Sequence, residues 1–142
     1  VTLHRAFDMI RDPFAALEEA VRLGVMTILT SGQAGSAPEG KELLRELTAR
    51  TAGRIDIMAG AGVNRTNIRL LHEYAGVTSF HTSARRGAAD SGMRYRKKGV
   101  SMGLPSLSEY EIWRTDEEEF RACAQIVHSL TEYGDSGARR AK

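Results

Sequence analysis

The chain has 142 residues, with 20 Lys+Arg against 18 Asp+Glu for a net charge of +2, and 42% hydrophobic residues. That suits one domain with a real core and leaves no room for a second. No apolar run approaches the roughly 18 residues of a membrane-crossing helix and no signal-peptide pattern opens the chain, so neither a membrane nor secretion is expected, and the near-zero charge speaks against nucleic acid as a partner. A single Cys123 excludes an internal disulfide and a C-x-x-C pair, which points to a reducing, cytoplasmic setting.

Short apolar strands alternate with amphipathic helices, the signature of a parallel sheet. Residues 1–4 form the first strand. Asp12 and Pro13 supply an N-cap and a first-turn proline for a helix with Phe14, Leu17 and Val21 inward, stopped by Gly24. The second strand, residues 25–30, empties into a glycine-rich loop, residues 31–40, before a helix with Leu43, Leu44 and Leu47 inward. The third strand, residues 55–59, turns at Gly60, Ala61 and Gly62 into a helix capped by Asn64, burying Ile68, Leu71 and Tyr74 and ended by Gly76. After the fourth strand, residues 77–81, residues 82–114 read as a long irregular segment with seven basic residues. The last helix opens on a capping box of Thr115 and Glu118 and buries Phe120, Cys123, Ala124, Val127 and Leu130. Residues 1–133 form the single domain, and residues 134–142 a flexible, basic tail.

Four strand-helix units are half of an eight-stranded barrel, which typically takes about 250 residues. The expected fold is α/β, a TIM-barrel-like arrangement with about four of eight units present. An open sheet with helices on both faces, a barrel completed by a partner chain, and a segment of a longer protein all fit this count.

Parallel α/β folds bind ligands where the strands' C-terminal ends meet the following loops. The first strand places His4, Arg5 and Asp8 there; the second Thr30, Ser31, Gly32 and Gln33; the third Gly60, Ala61, Gly62 and Asn64; the fourth His81, Ser83, Ala84 and Arg85. His4 and His81 are candidate proton-transfer or metal-ligand groups, since histidine titrates near neutrality, and Arg5 and Asp8 can pair to position them. Thr30, Ser31, Gly32, Gln33, Gly60, Ala61, Gly62, Ser83 and Arg85 are candidate ligand-binding residues. The turn at Gly60 can present backbone N–H groups to an anion, or be a tight turn and nothing more. It is not a dinucleotide fingerprint, because Arg65 stands where the third glycine would fall. Gly35 to Lys41 fits G-x-x-x-x-G-K, yet Glu42 replaces the Mg²⁺-binding Ser or Thr, and Pro38 removes an N–H from the cradle. Nucleoside triphosphate binding is therefore not expected.

Cys123 and the five methionines, Met9, Met26, Met58, Met93 and Met102, show no ligand spacing for Cu(I). His72 and His128 lie within helices. Arg85, Arg86, Arg94, Arg96, Lys97 and Lys98 with Tyr95 make the long segment basic, consistent with a small anion, a subunit interface or a solvated loop.

At these strand ends the sequence resembles the CutC family of copper homeostasis proteins. The resemblance rests on the segments from His4 to Asp8, Leu29 to Gln33, Met58 to Val63, His81 to Ala84 and Met93 to Arg96, in the family's order, over residues 1–103. It implies a TIM-barrel-like fold, a cytoplasmic location, a homo-oligomer, and a role in copper tolerance or Cu(I) binding, with copper as a cofactor by resemblance alone. It covers the C-terminal portion of the family barrel, so the thiols proposed as copper ligands in upstream strands have no counterpart here. Two other functions compete: a TIM-barrel-type enzyme acting on a small phosphate- or carboxylate-bearing substrate, with Gly60, Gly62 and Arg85 holding the anion and His4, Asp8 or His81 moving protons, and an interaction-only half-barrel joined through its sheet edges. The site prediction common to these readings is that His4, Ser31, Gly62 and His81 share one pocket.

Overall fold

Four short strands pair side by side in chain order, all parallel: β1 (Thr2–Leu3), β2 (Thr27–Thr30), β3 (Asp56–Ala59) and β4 (Ser79–Phe80). The structure is a computed structural model and describes residues 1–90, 92 and 111–138, with side chains described for residues 1–85, 92 and 112–130.

The pairing register sorts the strand residues onto two faces. Leu3, Ile28 and Ile57 fall on one face with Thr30, Ala59 and Phe80; Thr27, Leu29, Asp56, Met58 and Ser79 fall on the other. Ile28, Thr30, Ile57 and Ala59 are buried, whereas every residue of the second face stays partly or fully exposed. The helices α1 (Pro13–Arg22), α2 (Lys41–Thr51) and α3 (Ile68–Ala75) cover the first face alone. Parallel sheets normally have both faces covered, and the one-sided covering decides against the doubly wound alternative. The chain is four βα units of a TIM-barrel-type sheet, and among the described residues the outer edges of β1 and β4 are unpaired.

Leu17 from α1, Leu44 and Leu47 from α2 and Ile68 and Leu71 from α3 are essentially inaccessible and meet Ile28 and Ile57 in one core. Burial of each such side chain contributes roughly 1.5–3 kcal/mol. Asp12 caps α1 as its sequence implies, its Oδ1 accepting from the N–H of Phe14 and of Ala15 at 3.0 Å each. Gly76 adopts φ +69 and closes α3, and His72 bonds through Nδ1 to the Val77 carbonyl at 2.9 Å, tying the helix end to the next strand.

Four expectations change. Asn64 does not cap α3: its Oδ1 accepts from the N–H and hydroxyl of Thr66, and its carbonyl from the N–H of Asn67 and Ile68, so it starts a turn that leads into the helix, with Asn67 at the cap position. The stretch from residue 82 to 114 is not irregular throughout, because β5 (Arg85–Asp90) and β6 (Glu111–Thr115) pair antiparallel, with a bulge between Arg86 and Ala88. The basic positions Arg94, Arg96, Lys97 and Lys98, with Tyr95, Met93 and Met102, lie outside the described residues. The last helix, α4 (Glu117–Ala138), is capped by Asp116 and not Thr115, with Asp116 Oδ1 accepting from the Glu119 N–H at 3.0 Å. Phe120 is 56% exposed, because α4 packs against the core through Cys123, Ile126, Val127 and Leu130, which do not include that position. The helical backbone continues past Gly134, where the sequence reading begins the tail, and residues 139–142 lie outside the described set.

Candidate ligand site

The segment after β1 is a 3-10 turn, Arg5–Met9, anchored by the fully buried Phe7. His4 caps it, its Nδ1 accepting from the Ala6 N–H at 3.1 Å. The turn carries Asp8 over the end of β2, where four donors surround the carboxylate. They are the Thr30 hydroxyl, the Ser31 N–H (3.1 Å), the Gln33 N–H (3.2 Å) and Arg5 Nε (2.7 Å), with the Ser31 hydroxyl, whose single proton is shared with the Ala34 carbonyl, at 3.0 Å. Burial pushes the Asp8 pKa up, but hydrogen bonds from Thr30, Arg5, Ser31 and Gln33 outweigh it, and the carboxyl is held below its ordinary value.

This knot reassigns several candidates. Thr30 and Ser31 are fully buried. Besides binding Asp8, the Thr30 oxygen accepts from the Gly32 N–H at 2.9 Å, and the Ser31 hydroxyl faces the Ala34 carbonyl at 2.7 Å. Gln33 spends its side-chain amide on the Ile10 carbonyl at 2.6 Å. Gly32 is required by contact: a Cβ there would lie 2.2 Å from the Gly40 carbonyl oxygen. These four hold the loop closed and do not line the cavity. Gly40, which completed the nucleotide-loop pattern, is glycine for the same close approach, not to cradle phosphate.

Beside the knot, the strand ends enclose an open groove of about 660 Å³. Arg5, Ala61, Gly62, His81, Ser83 and Arg85 line it as anticipated. The loop after β4 is pinned to the loop after β3 by the Thr82 hydroxyl, which donates to the Val63 carbonyl at 2.7 Å and accepts from the Ala84 N–H at 3.0 Å. Gly60 lies just behind the lining; its missing side chain makes room for Leu29, whose Cδ1 would stand 2.6 Å from a Cβ. His4 does not line the groove, and Ser31 is reached only through Arg5 Nη2, which donates to its hydroxyl at 3.0 Å. Of the four residues expected to share a pocket, Gly62 and His81 do so, while His4 and Ser31 act as a cap and as scaffold.

Two charged lining residues are additions. Arg65 follows the Asn64 turn, and Glu119 comes from α4. The Glu119 carboxylate accepts from the Arg65 N–H at 3.0 Å and from Arg65 Nε at 2.8 Å. It therefore holds the N–H group at this helix entry that a bound anion would otherwise use. Of the groove's arginines, Arg5 is paired to Asp8 and Arg65 to Glu118 and Glu119. Among the described residues no carboxylate pairs with Arg85, which is exposed at the groove.

The donor set among the described residues does not fit Cu(I). Among the described residues no three His, Cys, Asp or Glu side chains gather at metal-binding distance. Cys123 is buried in the α4 interface, its thiol facing Glu119 Oε1 at 3.6 Å; burial first, then the Glu119 charge and hydrogen bond, push its pKa up and disfavour the thiolate that would bind a soft metal. Met9 and Met26 are solvent-exposed.

Four parallel units with a polar groove at their C-terminal ends define the class as a TIM-barrel-type α/β protein. The model of the CutC family matches residues 1–86. A CutC family protein of Chromobacterium violaceum is 47% identical over 89% of this chain and 51% of its own length. The human copper homeostasis protein cutC homolog is 44% identical over 92% of this chain and 48% of its own. The crystal structure of CutC from Streptococcus agalactiae superposes with a TM-score of 0.54 at 30% identity, covering 56% of this chain and 40% of that one. The chain belongs to the CutC family and spans about half the length of the curated relatives it matches. No helix among the described residues is long and apolar enough to cross a membrane.

Proposed function

We propose that the chain serves copper homeostasis, the role in the name of its human and mouse relatives, and that its working site is the strand-end groove, which takes a small phosphate- or carboxylate-bearing ligand. The observation that carries the ligand class is Arg85, which pairs with no carboxylate among the described residues, in one groove with Arg5, His81 and the Gly62 backbone. The position supports it too, since TIM-barrel ligand sites lie at the C-terminal ends of the strands, where this groove lies. His81 provides a proton-transfer group beside the anion, which is the enzyme form of the same reading. Copper enters this reading as the process served, not as an ion held in the groove, because the described donor set does not suit Cu(I). Self-association is part of it, supported by the edges of β1 and β4 and the second sheet face, which are unpaired and uncovered among the described residues. The lone buried cysteine supports a cytoplasmic setting.

Titration of inorganic phosphate at constant ionic strength, followed by amide NMR shifts, tests the ligand class. Shifts are expected at Gly62, His81 and Ser83, and Arg85→Ala should weaken binding about tenfold, the scale of one charge-assisted hydrogen bond. Absence of site-specific shifts would refute it. For the biological role, the chain is expected to raise the copper tolerance of a host lacking its own CutC and Arg85→Ala to do so poorly; unchanged tolerance would count against the copper role.

A further inference from the structure

The side chain of Arg5 is fixed at two points, each within the loop cluster at the end of β2. Nε donates to Asp8 Oδ2 at 2.7 Å and Nη2 to the Ser31 hydroxyl at 3.0 Å. Both acceptors are themselves immobilised. The Asp8 side chain is 7% exposed and held by the loop after β2, and Ser31 is fully buried, its N–H bonded to Asp8 and its hydroxyl to the Ala34 carbonyl. A guanidinium has five N–H donors. Two are engaged here, which leaves three on a side chain that is 45% exposed and lines the groove.

An exposed arginine on a surface would have to give up its rotamer freedom to bind an anion. In Arg5 that freedom is already restricted by the fold, so the free N–H groups meet a ligand without further ordering. We propose that Asp8 and Ser31 are positioning residues that set Arg5 as a fixed fork for the anionic group of the groove's ligand. The inference rests on the anion reading of the groove and adds to it the anchor for the anion and the pair that aims it. It also accounts for a polar knot of Thr30, Ser31 and Gln33 around one carboxylate at a strand end that does not itself line the groove. Asp8 contributes orientation at a cost in charge, because its carboxylate partly cancels the guanidinium. The decisive variants are therefore those that leave the charge balance untouched.

Inorganic phosphate is again the probe, with affinity measured for the full chain at constant ionic strength and folding checked by thermal melts. Arg5→Ala is expected to weaken phosphate at least tenfold, the size of a lost charge-assisted contact. Arg5→Lys keeps the charge but has no planar fork to seat on both acceptors, and is expected to recover little of that loss. Ser31→Ala removes a neutral hydroxyl and is expected to weaken binding about fivefold in the parent chain, yet to change nothing in the Arg5→Ala background, because it acts only through Arg5. A purely structural Ser31 would weaken both backgrounds alike, and that result would overturn the proposal. Phosphate bound equally by the parent and Arg5→Lys would also overturn it, since charge alone would then suffice. If Arg85→Ala weakens phosphate and Arg5→Ala does not, this inference fails and the groove reading stands; if phosphate does not bind the parent chain, both fail. Should Ser31→Ala not fold, the Arg5→Lys comparison decides the matter by itself.

Discussion

Replacing Gly40 by alanine tests the claim that the loop between β2 and α2 is closed by backbone contact. Gly40 has φ −88 and ψ 13, which alanine adopts readily, so no dihedral strain enters. The obstacle is steric. A Cβ on Gly40 would lie 1.9 Å from the Ser31 carbonyl oxygen and 2.8 Å and 2.9 Å from the Gly32 oxygen and Cα. All three are main-chain atoms of the segment that also binds Asp8, so no side chain can swing aside. The two backbones must part by roughly 1 Å, the kind of overpacking that costs about 1–3 kcal/mol and sometimes more. Alanine offsets about 0.4–1 kcal/mol of this by stiffening the unfolded chain. A net loss of about 1–2 kcal/mol is expected, or roughly 3–6 °C in Tm for a chain of this size.

The assay is urea unfolding followed by circular dichroism, with Gly35→Ala from the same loop as control. There the new Cβ meets only Glu39 Oε2 at 2.9 Å, the mobile end of an exposed side chain, and a change within about 0.5 kcal/mol is expected. If Gly40→Ala proves as stable as Gly35→Ala, close approach is not what requires glycine, and the account of the loop is wrong.

Two further outcomes follow from the packing and the charge. Asp8 has a depressed native pKa, so its stabilisation is complete above the ordinary carboxylate range and is lost as the pH falls below it, through the native value. The parent chain should exceed Asp8→Asn by about 2 kcal/mol near neutrality, the scale of hydrogen bonds to a charged group, with the gap closing in unfolding curves taken at progressively acid pH; a gap constant with pH would contradict the charged knot. Leu71→Ala, at a fully buried site, should cost about 2–5 kcal/mol, whereas Phe120→Ala should cost under about 1 kcal/mol because that ring is largely in solvent. Chemical denaturation of the two variants checks the orientation of α4, and a larger loss for Phe120→Ala would reverse it.

Much of this architecture is written locally. The cap at Asp12, the stop at Gly76 and the inward faces of Leu44, Leu47, Ile68 and Leu71 depend on a few neighbouring residues and on helical or strand periodicity, which one sequence displays. The line of polar residues at the strand ends was equally legible, because the ends of parallel strands fall together by topology. Local pattern failed at Asn64 and at Thr115, each a chemically suitable cap whose role passes to another residue, Asn67 in one case and Asp116 in the other. It failed at Phe120 for a different reason: helical spacing defines a stripe, but which side of it meets the core depends on how α4 is docked.

The division of labour among the strand-end residues was settled only in three dimensions. Ser31 and Arg85 are both polar residues at such ends, yet one is fully buried beneath a carboxylate and the other is exposed in the groove. That carboxylate, Asp8, stands 23 positions from Ser31, and Glu119 stands 54 from Arg65. The sequence by itself determined the four units, their direction and the chemistry gathered at one end of the sheet, because those follow from short-range backbone preference and alternating burial. Only the tertiary structure decided which polar groups pair with each other and which face the groove, because hydrogen bonds and ion pairs form between whatever side chains the fold brings within about 3 Å, however far apart they lie along the chain.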